Sequence, residues 1–121
     1  MGMRALAYGA ALTRVAIGAA LTAAPDRAGR VWAGFAVDSR SGQMLMRGLG
    51  IRDLALGLGM VTALRQGRPL RPWSWYAVAC DVVDAAASAG AHAELPDGGR
   101  ISAPAIAAAA VGDAFIAARL D

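Results

Sequence analysis

The stretch GLGIRDLALGLG, Gly48 to Gly59, decides the fold. It is glycine and aliphatic throughout, except that Arg52 and Asp53 stand side by side at its middle. In a solvated loop such a pair needs no explanation. Inside an apolar helix it needs partners, because a charge removed from water is costly unless it is paired and hydrogen-bonded. GLG occurs at both ends, but neither copy is followed by the third glycine of G-x-G-x-x-G and no strand pattern precedes them, so the stretch is not read as a nucleotide loop.

Working outward, the surroundings are those of a membrane protein. The chain has 121 residues, 57% hydrophobic and 17% charged, with a mean hydropathy of +0.45. Soluble domains run at roughly 45–50% apolar and about 25% charged. Cutting the chain at its Pro/Gly/Arg clusters leaves four apolar segments at about 5–24, 44–64, 73–91 and 101–120. Each is close to the ~20 residues a helix needs to span a bilayer, and well above the ~11–12 of an average soluble helix. The expected fold is therefore all-α, a four-helix transmembrane bundle forming one domain over residues 1–121.

The connections fit that expectation. APDRAGR (24–30), RQGRPLRP (65–72) and ELPDGGR (94–100) are rich in charge, proline and glycine. Trp73, Trp75 and Tyr76 follow Arg65, Arg68 and Arg71, a pairing of amphipathic rings with arginines that suits a headgroup layer. Val31, Trp32, Phe35 and Val37 lie between Arg30 and Arg40, and are expected along the surface as a short amphipathic turn. Arg4, Arg65, Arg68, Arg71 and Arg119 fall on one side of the bilayer, whereas Arg27, Arg30, Arg40 and Arg100 share the other with Glu94 and Asp97. That bias mildly favours both termini in the cytoplasm. Arg4, an apolar run and Thr22–Ala24 imitate a signal peptide, but Arg14 interrupts the run and Pro25 would directly follow the cleavage point.

Several classes are set aside. The net charge is +3 and the pI near 10.0, yet the arginines are scattered and no base-stacking motif is visible, so nucleic acid is not expected as a partner. Cys80 and His92 are single, which leaves neither a disulfide nor a zinc-type ligand set. DVVD at 81–84 resembles one half of a metal-diphosphate motif, but a lone pair of aspartates is a weak sign of magnesium. No metal and no cofactor is expected.

Depth is the informative coordinate. Arg14 lies at the centre of the first segment, Arg52 and Asp53 at that of the second, Asp81 and Asp84 at that of the third, and Asp113 just past that of the fourth. Facing lipid, each would cost roughly 2.5–3.5 kcal/mol, so they must face one another. Ser74, Ala77, Asp81, Asp84, Ser88 and Ala91 recur at spacings of three and four, drawing the inward stripe of the third segment. Gly48 and Gly59 are expected to flank Arg52, with Gly50 and Gly57 flanking Asp53 and Ala7, Ala10, Ala11 and Gly18 around Arg14. Small residues let helices approach closely in lipid, and the glycines could equally serve a homo-oligomer. Arg47 is expected to reach the interface.

The charges do not balance: Arg14 and Arg52 face Asp53, Asp81, Asp84 and Asp113. Three resolutions stand open. One or two aspartates keep a proton, with Asp81 and Asp84 the natural candidates to share one; a cation or cationic ligand is bound; or Arg47 folds inward. The centre is read as the site of a membrane enzyme performing acid–base chemistry on a small lipophilic substrate, such as epoxide opening or cyclisation or isoprenoid isomerisation. Arg52 is its electrostatic clamp, Asp53 and Asp84 the acid/base pair, and Arg14, Asp81 and Asp113 the supporting groups. A proton- or cation-coupled transporter acting as an oligomer is the alternative, and a purely structural network that locks alanine-rich helices in register is a third.

GIRDLALGLG at 50–59, followed one helix later by DVVDA at 81–85, resembles a family of small integral-membrane proteins of bacteria, distantly DoxX-like. The resemblance implies four helices, a location in a bacterial inner membrane and no assigned activity. It marks Arg52, Asp53, Asp81 and Asp84, and leaves Arg14 and Asp113 to the depth argument.

Overall fold

Five helices, not four, account for residues 2–120, the part of the chain that the computed structural model describes. They are α1 (Met3–Ala23), α2 (Pro25–Ala33), α3 (Arg40–Gln66), α4 (Arg71–Gly90) and α5 (Ser102–Arg119), with no strand among the described residues. The protein is all-α. The added element is the surface turn expected after the first segment, which is a nine-residue helix because Pro25 starts it, Asp26 sits in its first turn and Gly34 ends it in the left-handed conformation at φ 77°.

Local signals also move the other boundaries. The second long helix starts at Arg40 instead of about 44, because the Ser39 side chain accepts from the Gly42 N–H and caps it. It ends at Gly67, again left-handed at φ 64°. Proline in the first turn of α4 supplies a ready φ where the missing N–H costs nothing.

The long helices alternate in direction, so the start of α1, the end of α3, the start of α4 and the end of α5 meet at one end of the bundle. Arg4 Nη2 donates to the Leu64 carbonyl there at 2.8 Å, above a core of Ala7, Ala11, Met60, Ala63, Leu64, Leu70 and Ile116. The opposite end holds α2 and the 91–101 turns, joined where the Ser102 hydroxyl donates to the Trp32 carbonyl at 2.6 Å.

Packing is uneven: α1 lies tightly on α3 and α4 on α5, while contacts between the two pairs are sparse. Glycine explains the first pair. A Cβ on Gly18 would stand 2.6 Å from the Gly50 carbonyl oxygen, one on Gly50 2.7 Å from the Thr22 nitrogen, and one on Gly57 2.8 Å from the Ala11 carbonyl oxygen. These three positions let the α1 and α3 backbones touch. The expected flanking of Arg52 is corrected here, because Gly48 meets nothing within 4 Å and Gly59 is covered by the Trp73 ring.

By length and composition, one described helix, Met3–Ala23, is long and apolar enough to cross a membrane, a property shared with signal sequences and with core helices of soluble proteins. The ionisable residues at the centres of α3 and α4 offset the apolar residues around them.

Candidate functional site

Each inward stripe carries its charge to the same level. The buried residues of α1 are Ala7, Ala11, Arg14, Gly18 and Leu21, a spacing of three and four that puts Arg14 at the centre of the buried face. In α4 Ser74, Ala77 and Asp81 are buried and Asp84 and Ser88 half-buried, as the stripe requires. Asp113 sits among Ile106, Ala110 and Ile116 on the buried face of α5.

All six expected residues join one network. The Arg14 guanidinium donates to three carboxylates on three other helices: through Nη2 to Asp81 Oδ2 and to Asp113 Oδ2 (2.6 Å), through Nε to Asp113 Oδ2 (3.3 Å), and through Nη1 to Asp53 Oδ1 (3.3 Å). Arg52 grips Asp84 with two hydrogen bonds, Nη1 to Oδ1 at 3.1 Å and Nη2 to Oδ2 at 2.5 Å. It also donates from Nη2 to Asp53 Oδ1 at 3.4 Å. Asp53 therefore bridges the guanidiniums, and Arg52 and Asp53 are members of a larger centre.

Two expectations about the charge balance resolve. Asp81 and Asp84 do not pair with each other but turn to different arginines, Asp81 to Arg14 and Asp84 to Arg52. Arg47 does not fold inward. It is exposed on the far part of α3, where its Nε donates to the Thr22 carbonyl at 3.4 Å. Two guanidiniums and four carboxylates thus remain in the network.

The centre is graded in exposure. The Asp113 side chain is 4% exposed, whereas Arg52 and Asp84 are 30% and 23% exposed. Asp113 also holds an unusual atom. Both bonds from Arg14 converge on its Oδ2, while its Oδ1 is buried and has no hydrogen-bond partner among the described residues.

Alongside the network, between the two tight helix pairs, opens a cleft of about 530 Å³ that runs to both sides of the charged level. Its floor is Arg14, Asp53, Asp81, Asp84 and Asp113, and its walls are apolar: Leu6, Ile17 and Leu21 from α1, Ile106 and Phe115 from α5, and Trp32 from the end of α2. That volume is within the roughly 300–1,000 Å³ usual for small-molecule sites. Sequence reasoning found the floor and missed the walls. Trp32 is half-buried and lines the cleft from α2, a role that no spacing in its neighbourhood signals. No group of three His, Cys, Asp or Glu side chains suited to hold a metal ion occurs among the described residues.

Compared with known proteins, the chain matches no family model, no curated protein and no solved structure.

Proposed function

We propose that the chain is an integral-membrane bundle, spanning the bilayer with α1, α3, α4 and α5, which takes a small lipophilic molecule into its cleft and transfers protons to and from it. The observation that carries the reading is the cleft itself, an apolar chamber whose floor is a charged network. A network serving only to lock helices in register would need no cleft beside it.

The distribution of residues around the bundle supports a bilayer. At the level of the charged centre the outward faces carry Leu12, Ile51, Val82, Val83 and Val111, all more than half exposed, while the charges turn inward. That is the reverse of a soluble helix, whose polar face meets solvent. The likeness of GIRDLALGLG and DVVDA to small DoxX-like membrane proteins belongs to the same reading and rests on those motifs alone.

Asp53 and Asp84, which line the cleft, are the acid/base pair, and Arg52, which is not among the lining residues, positions both through its hydrogen bonds from outside the cleft. For a lipophilic epoxide, one carboxyl delivers a proton to the ring oxygen as the C–O bond opens and the other takes a proton from the attacking water. Arg14, Asp81 and Asp113 fix the geometry.

The test has two arms. Without detergent the chain is expected in the membrane fraction, and its appearance in the aqueous fraction refutes the bilayer assignment. With lipophilic epoxides and isoprenoids as substrates, Asp53→Asn and Asp84→Asn should each lower turnover by about 10²–10⁴-fold, the usual contribution of a positioned acid or base. Loss of folded yield with no turnover in any form of the protein would instead favour the structural network.

A further inference from the structure

From the shape of the cleft and the level of its charges we infer that the substrate is a long-chain molecule whose polar, reacting group lies in the interior of the chain, with an apolar arm on each side. This rests on the reading of the cleft as a lipophilic-molecule site and adds where along that molecule the polar group stands.

The cleft follows α1 from Leu6 to Leu21, a rise of about 22 Å, and Arg14 stands near the middle of that length. All the charged residues that line it, Arg14, Asp53, Asp81, Asp84 and Asp113, belong to that one level. On one side of the level the walls are Leu6, Phe115 and Ile116, and on the other Leu21, Trp32 and Ile106. Thr13 also lines the cleft, but its hydroxyl donates to the Gly9 carbonyl of its own helix. A polar group therefore finds charged partners only part-way along. Asp84, with a side chain 23% exposed, lines the cleft there, and a carboxylate has acceptor sites beyond those that Arg52 occupies. A molecule with its polar group at one end must either leave an arm of the cleft unfilled or leave that group against apolar walls without a hydrogen bond.

The way in agrees with two arms. Leu6, Thr13, Ala109 and Phe115 line the cleft and are exposed, so it is open along the flank of the bundle between α1 and α5. A chain enters sideways through such an opening, both arms together, without threading one of them past the charged level.

The experiment uses the full chain in a non-ionic detergent, with the isomers tridecan-7-ol and tridecan-1-ol, both tritiated, in a scintillation proximity assay. Composition and chain length are the same, so the position of the hydroxyl is the variable. Tridecan-7-ol should bind saturably and at least about fivefold more tightly than tridecan-1-ol. Ala109→Phe places a ring in the arm on the Trp32 side, one turn from Asp113, and should remove that preference while leaving tridecan-1-ol within about twofold. Val111→Phe, at an exposed residue that does not line the cleft, should keep the preference. Equal binding of the isomers, or preference for tridecan-1-ol, overturns the two-armed substrate and leaves the lipophilic cleft standing. A preference that survives Ala109→Phe, or is lost equally in Val111→Phe, overturns the placement of the arm in this cleft. Saturable binding of neither isomer overturns the cleft reading itself. The two isomers on the unsubstituted chain carry the test alone if Ala109→Phe does not fold.

Discussion

Replacing Arg14 with methionine keeps an apolar stem but shortens the side chain and removes its charge and donors. Three carboxylates on three other helices, Asp53, Asp81 and Asp113, lose a hydrogen-bond partner at once. The arginine side chain is only 8% exposed, so most of its surface is packed against protein. Breaking one buried pair by removing a single partner costs about 3–5 kcal/mol. Arg14→Met strands more than one carboxylate, so that range is its lower bound, set against a total stability of about 5–15 kcal/mol for an ordinary fold. Asp113→Asn should be much milder. It loses a charge-assisted bond of about 1.5–3 kcal/mol but reduces the excess of carboxylates over guanidiniums, which offsets part of the loss. The assay is denaturation in non-ionic micelles followed by far-UV circular dichroism on both variants and on Arg14→Met/Asp81→Asn. The double variant should be more stable than additivity allows by about 1–3 kcal/mol, since the two residues interact directly. An Arg14→Met protein within about 1 kcal/mol of the unsubstituted chain, or less damaged than Asp113→Asn, would refute the view that Arg14 ties the four long helices together.

Other substitutions probe the frame. Gly18→Ala places a Cβ 2.6 Å from the Gly50 carbonyl oxygen, so α1 and α3 must separate; a loss of about 1–3 kcal/mol is expected, read as a lower melting temperature. Gly48→Ala, where nothing lies within 4 Å, should instead gain about 0.5–1 kcal/mol from helix propensity, and a loss there would mean that this face of α3 is covered by another molecule. Ser39→Ala removes the cap on the Gly42 N–H and should cost about 1 kcal/mol, with amide exchange faster in the first turn of α3 only.

The helices and their shared charged level were legible because two simple rules agree over most of the chain. The spacing of three and four in Ser74, Ala77, Asp81 and Asp84 marks a face, and a charge in an apolar helix must turn to that face. Pairing was less legible. Asp81 and Asp84 are one turn apart, near enough to suggest a shared proton, but a helix turn of three residues also rotates their side chains, enough for one to meet α1 and the other α3. The glycines of α3 were recognised as contact points but divided wrongly around Arg52, because spacing does not say which neighbour is closer. Gly50 and Gly57 met α1, Gly59 met Trp73, and Gly48 met open space.

The cleft was the least legible feature, and its origin is physical. Helices joined only through glycine and alanine close on each other, as α1 and α3 do at Gly18, Gly50 and Gly57. Between α1 and α5 the facing residues are also small, among them Ala10, Ala105, Ala109 and Gly112, yet that side stays open. The difference is Arg14. Its long side chain lies between the tight pairs, donating forward to Asp113 on α5 and Asp81 on α4 while its own helix is fixed to α3. A guanidinium held by three carboxylates acts as a spacer, and the small residues beside it then bound an empty volume instead of a contact. Shortening the spacer should therefore close the chamber: Arg14→Met combined with Asp81→Asn and Asp113→Asn, which leaves no stranded charge on α4 or α5 at this level except Asp84 with its Arg52, should fold with α1 against α5 and bind neither lipophilic probe.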